Sequence, residues 1–258
     1  MSVNSRPTVV LLTTDGPLPN IVINDLARHI EGLVVLVEDG PPRGAIMKSR
    51  ARLLGWPTAI GQTAANYLFK VLRKASAGRA KALEADYGLD REDHGRAPTV
   101  RIGSVNAERC RDELKRLDPA VVAVYSTAII KKATLDCVPA PFINYHAGIN
   151  PAYRGQDPAY WALVEGDAAH AGITIHLVDE GVDTGDVLYQ DKVDLSDSGN
   201  ITSYPHRQVA TALPLFRRAI EDAINGRLAP QKVDLPSRKW FPPTLWAYLW
   251  NGLSRGVW

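Results

Sequence analysis

Apolar, β-branched runs at residues 9–12, 33–37, 121–125 and 142–146 alternate with stretches of helical spacing, and this alternation leaves the chain few folds to adopt. A run that is apolar throughout belongs to a strand covered on both faces, which is the environment of a parallel sheet. Parallel neighbours must be joined by a crossover, usually a helix. The expectation is an α/β protein with a Rossmann-like, mainly parallel sheet to about residue 145. Residues 172–178 alternate with period two and are predicted to pair with 187–193 as a C-terminal β-hairpin extension. Residues 203–225 carry helical spacing and lead into a helical tail that holds Trp240, Trp246, Trp250 and Trp258.

Helices are expected over 21–30 and from Asn106 to just before Pro119. Asp157-Pro158 reads as an N-cap followed by proline at the first helical position. Residues 46–85 read as helical with a break near Gly55-Trp56-Pro57. That is long for a connection in a compact α/β unit, so it is taken as an insertion. The expected domain plan is a core over 1–200, with a helical insertion at about 46–95, and a C-terminal helix and aromatic tail over 201–258.

A chain of 258 residues can bury a sizeable core. Its formal net charge of +2 creates no global field that demands nucleic acid. Charge is uneven, however, with eight Lys or Arg and no Asp or Glu between Met47 and Ala82. Cys110 and Cys137 lie far apart, which argues against a disulfide framework or a cysteine metal site and suits a reducing cytoplasm. The first seven residues lack the apolar segment of a secretory signal, and no run approaches 18 apolar residues. A cytoplasmic protein without stable membrane insertion is expected.

Chemistry concentrates at Asn144-Tyr145-His146 and at Asp183, 37 residues after the histidine. Asn144 and His146 are two apart on a predicted strand, so their side chains share a face. They would lie at its carboxyl end, where open α/β sheets bind ligands. An amide can donate to a developing oxyanion, an imidazole can move a proton near neutrality, and a carboxylate can orient the imidazole. Together they suit attack by a neutral amine on a formyl or acyl carbon. Taken alone, an Asn-x-His at a strand end is more commonly structural, and Asp183 in a Gly-flanked turn can be a turn former.

The flanking residues bear on that choice. Asn144-Tyr145-His146, Tyr153-Arg154-Gly155, a strand through Thr174 and His176, and Asp179-Glu180-Gly181-Val182-Asp183-Thr184-Gly185 follow one another in order. This stretch, from 121 to 190, resembles the N10-formyltetrahydrofolate-dependent formyltransferases, and a weaker likeness spans roughly 8 to 225. The resemblance implies that Asn144, His146 and Asp183 are a catalytic triad. It places Ala128, Ile129 and Ile130 on one wall of a pterin pocket, and Val178, Asp179 and Gly181 on the other. The donor it implies is N10-formyltetrahydrofolate or an N5-formyl analogue, with no metal. Where the family usually has Pro-Ser-Leu-Leu-Pro after the histidine, this chain has Ala147-Gly148-Ile149-Asn150-Pro151.

Among family members, the residues after 225 are too few for the C-terminal barrel of methionyl-tRNA formyltransferases. The start near Val9 leaves no room for the N-terminal domain of formyltetrahydrofolate hydrolases. The Gly-rich phosphate loop of glycinamide ribonucleotide formyltransferases is replaced by Asp15-Gly16-Pro17-Leu18, whose proline removes a backbone donor. The closest likeness is then to sugar N-formyltransferases, with a nucleotide-linked amino sugar as the small-molecule acceptor. Arg154 would meet its pyrophosphate bidentately, with Tyr153 beside it. A hydrolase, a glycinamide ribonucleotide-type enzyme and a non-enzymatic folate- or nucleotide-binding module are the alternatives. The basic insertion reads as a solvated face, a nucleotide contact, or a nucleic-acid or membrane contact. The Trp-rich tail reads as packed over the core or forming a homodimer contact, with Trp246-Ala247-Tyr248-Leu249-Trp250 as a weaker candidate for interfacial membrane contact. His176 reads as a hydrogen-bonded structural residue.

Overall fold

The structure is a computed structural model that describes residues 7–40, 43–197 and 199–258; Met1 to Arg6, where no signal segment was expected, lie outside them. Strand β1 (Val9–Thr14), helix α1 (Pro17–His29) and strand β2 (Leu33–Glu38) open the chain. Three helices follow: α2 (Arg43–Leu54), α3 (Trp56–Ala75) and α4 (Ala77–Asp86). The sheet resumes with β3 (Thr99–Gly103), α5 (Glu108–Leu117), β4 (Val121–Val124), the single turn α6 (Lys132–Leu135) and β5 (Phe142–His146). Beyond it come β6 (Arg154–Gly155), α7 (Pro158–Val164), β7 (Gly172–Leu177), β8 (Val187–Lys192), α8 (Tyr204–Ile224), β9 (Lys239–Trp240) and α9 (Leu245–Arg255).

The main sheet has seven strands in the order β3-β2-β1-β4-β5-β7-β8. Strands β1 to β5 are parallel to their neighbours, and β7 and β8 add on antiparallel as the expected hairpin. Alternate residues of the central strands face opposite layers, as strand geometry requires. Val9, Leu11, Val121 and Ala123 pack with α1 and α8 through residues such as Ile21 and Phe216. Val10, Leu12 and Val122 pack with α5 through Cys110 and Leu114. The strand order changes direction between β1 and β4, which opens a crevice at their carboxyl ends.

The structure differs from the sequence reading at three places. Asn106 does not start α5, whose N-cap position is Ala107. Its amide instead crosses to the next loop, donating to the Ile129 carbonyl at 2.9 Å and accepting from the Lys131 N–H at 2.8 Å. Asp157 precedes Pro158 as expected, but it adopts left-handed backbone (φ 52°) and its side chain does not cap α7. The tail does not pack as one unit. Its first part forms β9, which pairs in parallel with β6, Arg154 opposite Lys239 and Gly155 opposite Trp240. Trp240 is buried and stacks on Trp161 at 4.8 Å and Tyr153 at 5.8 Å, whereas Trp246 and Trp250 are exposed.

Candidate active site

Register brings the distant residues together. Val124 pairs with Asn144, so the loop after β4 leaves the sheet beside the end of β5. On the other side Asn144 pairs with His176 and His146 with Thr174. The loop between β7 and β8 then folds back and carries Asp183, at φ 51°, over the strand. Asp183 Oδ2 lies 3.5 Å from His146 Nδ1, and Asp183 Oδ1 lies 3.6 Å from His176 Nε2. The carboxylate also accepts the Gly155 N–H at 3.0 Å. All three predicted residues thus converge, with His176 as a fourth.

Main-chain carbonyls assign the tautomers. His146 Nε2 lies 2.8 Å from the Tyr153 carbonyl, which can only accept, so Nε2 carries the proton. In the neutral ring Nδ1 is then an open lone pair beside Asp183. By the same reasoning His176 Nδ1, 2.7 Å from the Leu177 carbonyl, is protonated. His176 Nε2 can therefore accept from Asn144 Nδ2 at 3.0 Å. That contact fixes which end of the Asn144 amide is the donor and leaves its second N–H unused.

Charge follows the same plan. Burial pushes the pKa of His146 below its ordinary value and outweighs the opposing pull of Asp183, so the resting imidazole is neutral. Burial alone would raise the Asp183 carboxyl. The neighbouring His146 and His176 and the Gly155 N–H overcome it and hold the group well below the usual carboxylate range. The pair at rest is a neutral base facing an ionised carboxylate.

The other predicted positions fall differently. Tyr153 is buried, its ring in the aromatic stack and its hydroxyl donating to Asp167 at 2.9 Å; what reaches the site is its carbonyl. Arg154 donates from Nη1 to the Val182 carbonyl at 3.0 Å, bracing the loop of Asp183, while its buried Nε has no partner among the described residues. The Ala128 N–H is taken by Glu38 Oε2 at 2.7 Å, Ile129 is exposed and Ile130 is buried. Val178, Asp179 and Gly181 line a cavity of about 640 Å³ with Leu135 and Phe142; Ala128 to Ile130 and the triad do not line it. Asp179 accepts from Gly181 N–H at 3.0 Å and Thr184 hydroxyl at 2.6 Å, which shapes the turn leading to Asp183. The departing loop 147–151 is held by Thr174, whose hydroxyl donates to the Gly148 carbonyl at 2.6 Å and accepts from Asn150 N–H at 3.0 Å.

Two supporting residues escaped the sequence reading. Glu38, buried at the end of β2, accepts from Ser104 hydroxyl and Val105 N–H at 3.1 Å besides Ala128. An acidic residue ending an apolar strand was the available signal. Gly155 combines φ 94° with close approach to β9, where a Cβ would collide with the Trp240 carbonyl oxygen. Among the described residues no cluster of His, Cys, Asp and Glu is placed to hold a metal.

Known proteins share this arrangement in part. Methionyl-tRNA formyltransferase of Pelobacter propionicus is 29% identical over 135 residues, covering 52% of this chain and 42% of its own. The enzyme of the same name from Nitratiruptor sp. is 40% identical over 105 residues, covering 40% of this chain and 33% of its own. The matches thus span less than half the length of these curated relatives. A sugar N-formyltransferase from Shewanella sp superposes with a TM-score of 0.57 at 18% identity, covering 90% of this chain and 76% of that one. Glycinamide ribonucleotide transformylase 1 from Symbiobacterium toebii gives 0.57 at 17% identity, covering 91% and 92%. An N-formyltransferase from Helicobacter canadensis, in complex with folinic acid and dTDP-3-aminofucose, gives 0.57 at 12% identity, covering 90% and 70%. At such identities these structures speak for the fold alone. The family description "Formyl transferase" matches residues 70–214, more than half of the sequence, and the chain belongs to the formyl transferase family.

Proposed function

We propose that this protein transfers the formyl group of N10-formyltetrahydrofolate to the amine of a nucleotide-linked amino sugar. The observation that carries the transfer is the open Nδ1 lone pair of His146 beside the ionised Asp183, at the strand end that also presents Asn144. The donor supplies a formyl carbon bonded to N10. The acceptor nitrogen attacks that carbon, the bond to N10 breaks, and the amine proton passes to His146 Nδ1. Asp183 then faces an imidazolium and stabilises it. The unused N–H of Asn144 meets the negative charge growing on the formyl oxygen. The loop 128–130 and the turn 178–183 are the candidate walls for the folate.

The start of α1 supports an acceptor other than glycinamide ribonucleotide. Pro17 and Pro19 have no N–H, and the Asn20 N–H bonds to the Gly16 carbonyl at 2.9 Å. Only Leu18 is left to donate in the first turn, too little for a phosphate cradle. The free Nε of Arg154 offers a phosphate contact at the triad instead. Methionyl-tRNA is the second reading, favoured by the names of the curated relatives. The deciding experiment incubates the protein and donor with dTDP-, GDP- and UDP-amino sugars and with methionyl-tRNA, and weighs the products. A gain of one formyl group on a sugar nucleotide is expected; formylation of the tRNA alone, or formate release at the same rate without any amine, would reject the sugar reading.

A further inference from the structure

Residues 40–83 hold nine Lys or Arg and no Asp or Glu, and residues 235–258 hold three and none. These stretches include α2, α3 and α9, and the last two touch: the Trp246 ring lies against Gly61, where a Cβ would collide with it. Helix α3 buries Ala59, Ala65 and Phe69 toward the core. Its other side carries a second apolar stripe, Trp56, Ile60, Tyr67 and Val71, each 56–64% exposed. Lys70 and Lys74 fall on that same side of the helix wheel. Helix α9 buries Tyr248 and Asn251, and turns out Trp246, Leu249, Trp250 and Leu253, which are 41–80% exposed. Leu53, at the end of α2, is exposed beside the start of α3.

An outward helix face is ordinarily polar. A contiguous apolar exception of this size marks an interaction surface. We propose that this face docks on an anionic lipid bilayer. Tryptophan favours the headgroup boundary, leucine the acyl chains just beneath it, and Lys and Arg the negative leaflet. Charge selects among occupants. A second copy of the chain would set one acid-free basic face against another. Nucleic acid would engage the cations and leave Leu253 and Trp250 uncovered. Docking is peripheral, since among the described residues no helix is long and apolar enough to cross a membrane.

Vesicle flotation tests this with the full chain. Binding to 7:3 phosphatidylcholine–phosphatidylglycerol vesicles is expected, at least about tenfold tighter than to phosphatidylcholine alone and weakened by 0.5 M NaCl. The double substitution Trp250→Glu with Leu253→Glu lowers it at least about tenfold, with the circular dichroism spectrum unchanged because both positions are exposed. No binding to either vesicle, equal binding to both, or full binding by the double variant would overturn the proposal. So would light scattering that shows a wild-type dimer, no flotation, and a monomeric double variant: the face would then belong to a second copy. Formyl transfer to a soluble acceptor is assayed separately, so either proposal can fail without the other.

Discussion

His146 Nδ1 lies 3.5 Å from Asp183 Oδ2, a separation longer than a hydrogen bond between two groups that both accept in the resting state. The gap is where a proton must arrive. An acceptor amine that donates one N–H into it satisfies both groups, and proton transfer to Nδ1 turns the contact into an ion pair. Asp183→Asn keeps an oxygen for the Gly155 N–H but removes the charge that stabilises the imidazolium. The expected result is a fall in kcat of at least about a hundredfold, with a larger loss for His146→Ala and little change in the KM of the donor. Steady-state kinetics on the two variants checks this; a loss confined to KM would remove His146 from proton transfer.

The pH dependence follows from the buried, neutral imidazole. The ordinary histidine value of about 6.5 applies in the unfolded chain, and burial lowers it in the folded one. Between those two values the unfolded state binds more protons, so stability falls as pH drops through that window. The same depression keeps Nδ1 free at neutrality. The acid limb of kcat/KM is expected below pH 6.5, with a flat rate through pH 7. A limb centred above pH 7 in the pH–rate profile would contradict the burial argument.

The parallel sheet was legible because its strands are apolar on both faces, and β5 was expected over the residues it occupies. Asn144 and His146 were legible for the same reason: period two on a recognised strand sets their common face. What the sequence hid depends on contacts between remote segments. Nothing local in Lys239-Trp240 announces pairing with Arg154-Gly155, because a two-residue strand has no periodicity of its own. The roles of the Tyr153 carbonyl and of Asn106 were hidden likewise. Tyr153 was read by its side chain while its backbone does the work, and Asn106 was read as a cap while its amide ties the loop of Ile129.

Gly155 is the point where that hidden strand and the triad meet. Its N–H holds Asp183, its φ is 94°, and a side chain would strike β9. Gly155→Ala therefore strains the backbone by about 1–3 kcal/mol and displaces the carboxylate. Both a lower melting temperature and a kcat reduced more than tenfold are expected. Loss of stability with kcat intact would mean that the Gly155 N–H does not position Asp183.

Glu38 acts one layer further out. Its two oxygens tie the starts of two loops, Ser104-Val105 and Ala128, behind the proposed folate wall. A hydrogen bond to a charged group contributes about 1.5–3 kcal/mol. Glu38→Ala is expected to raise the KM for the formyl donor several-fold and to leave the KM of the acceptor unchanged, whereas Glu38→Asp, one methylene shorter, recovers only part. Equal effects on both substrates would place the loop 128–130 away from the folate.

Asp157 carries a cost that pH exposes. It retains some surface but is densely surrounded, and burial raises its carboxyl to about 6, with Arg50 and Arg73 opposing the rise. In the unfolded chain the value is about 3.9. Between these values the folded state binds more protons, so stability declines as pH rises from about 4 to about 6. Asp157→Asn removes the titration without changing shape. Its melting temperature is expected to exceed that of the wild type at pH 7.5, and the difference is expected to shrink toward pH 4, where both side chains are neutral. Thermal scans at the two pH values decide the matter: a difference of the same size at both would show that Asp157 is not held as a strained, buried carboxylate.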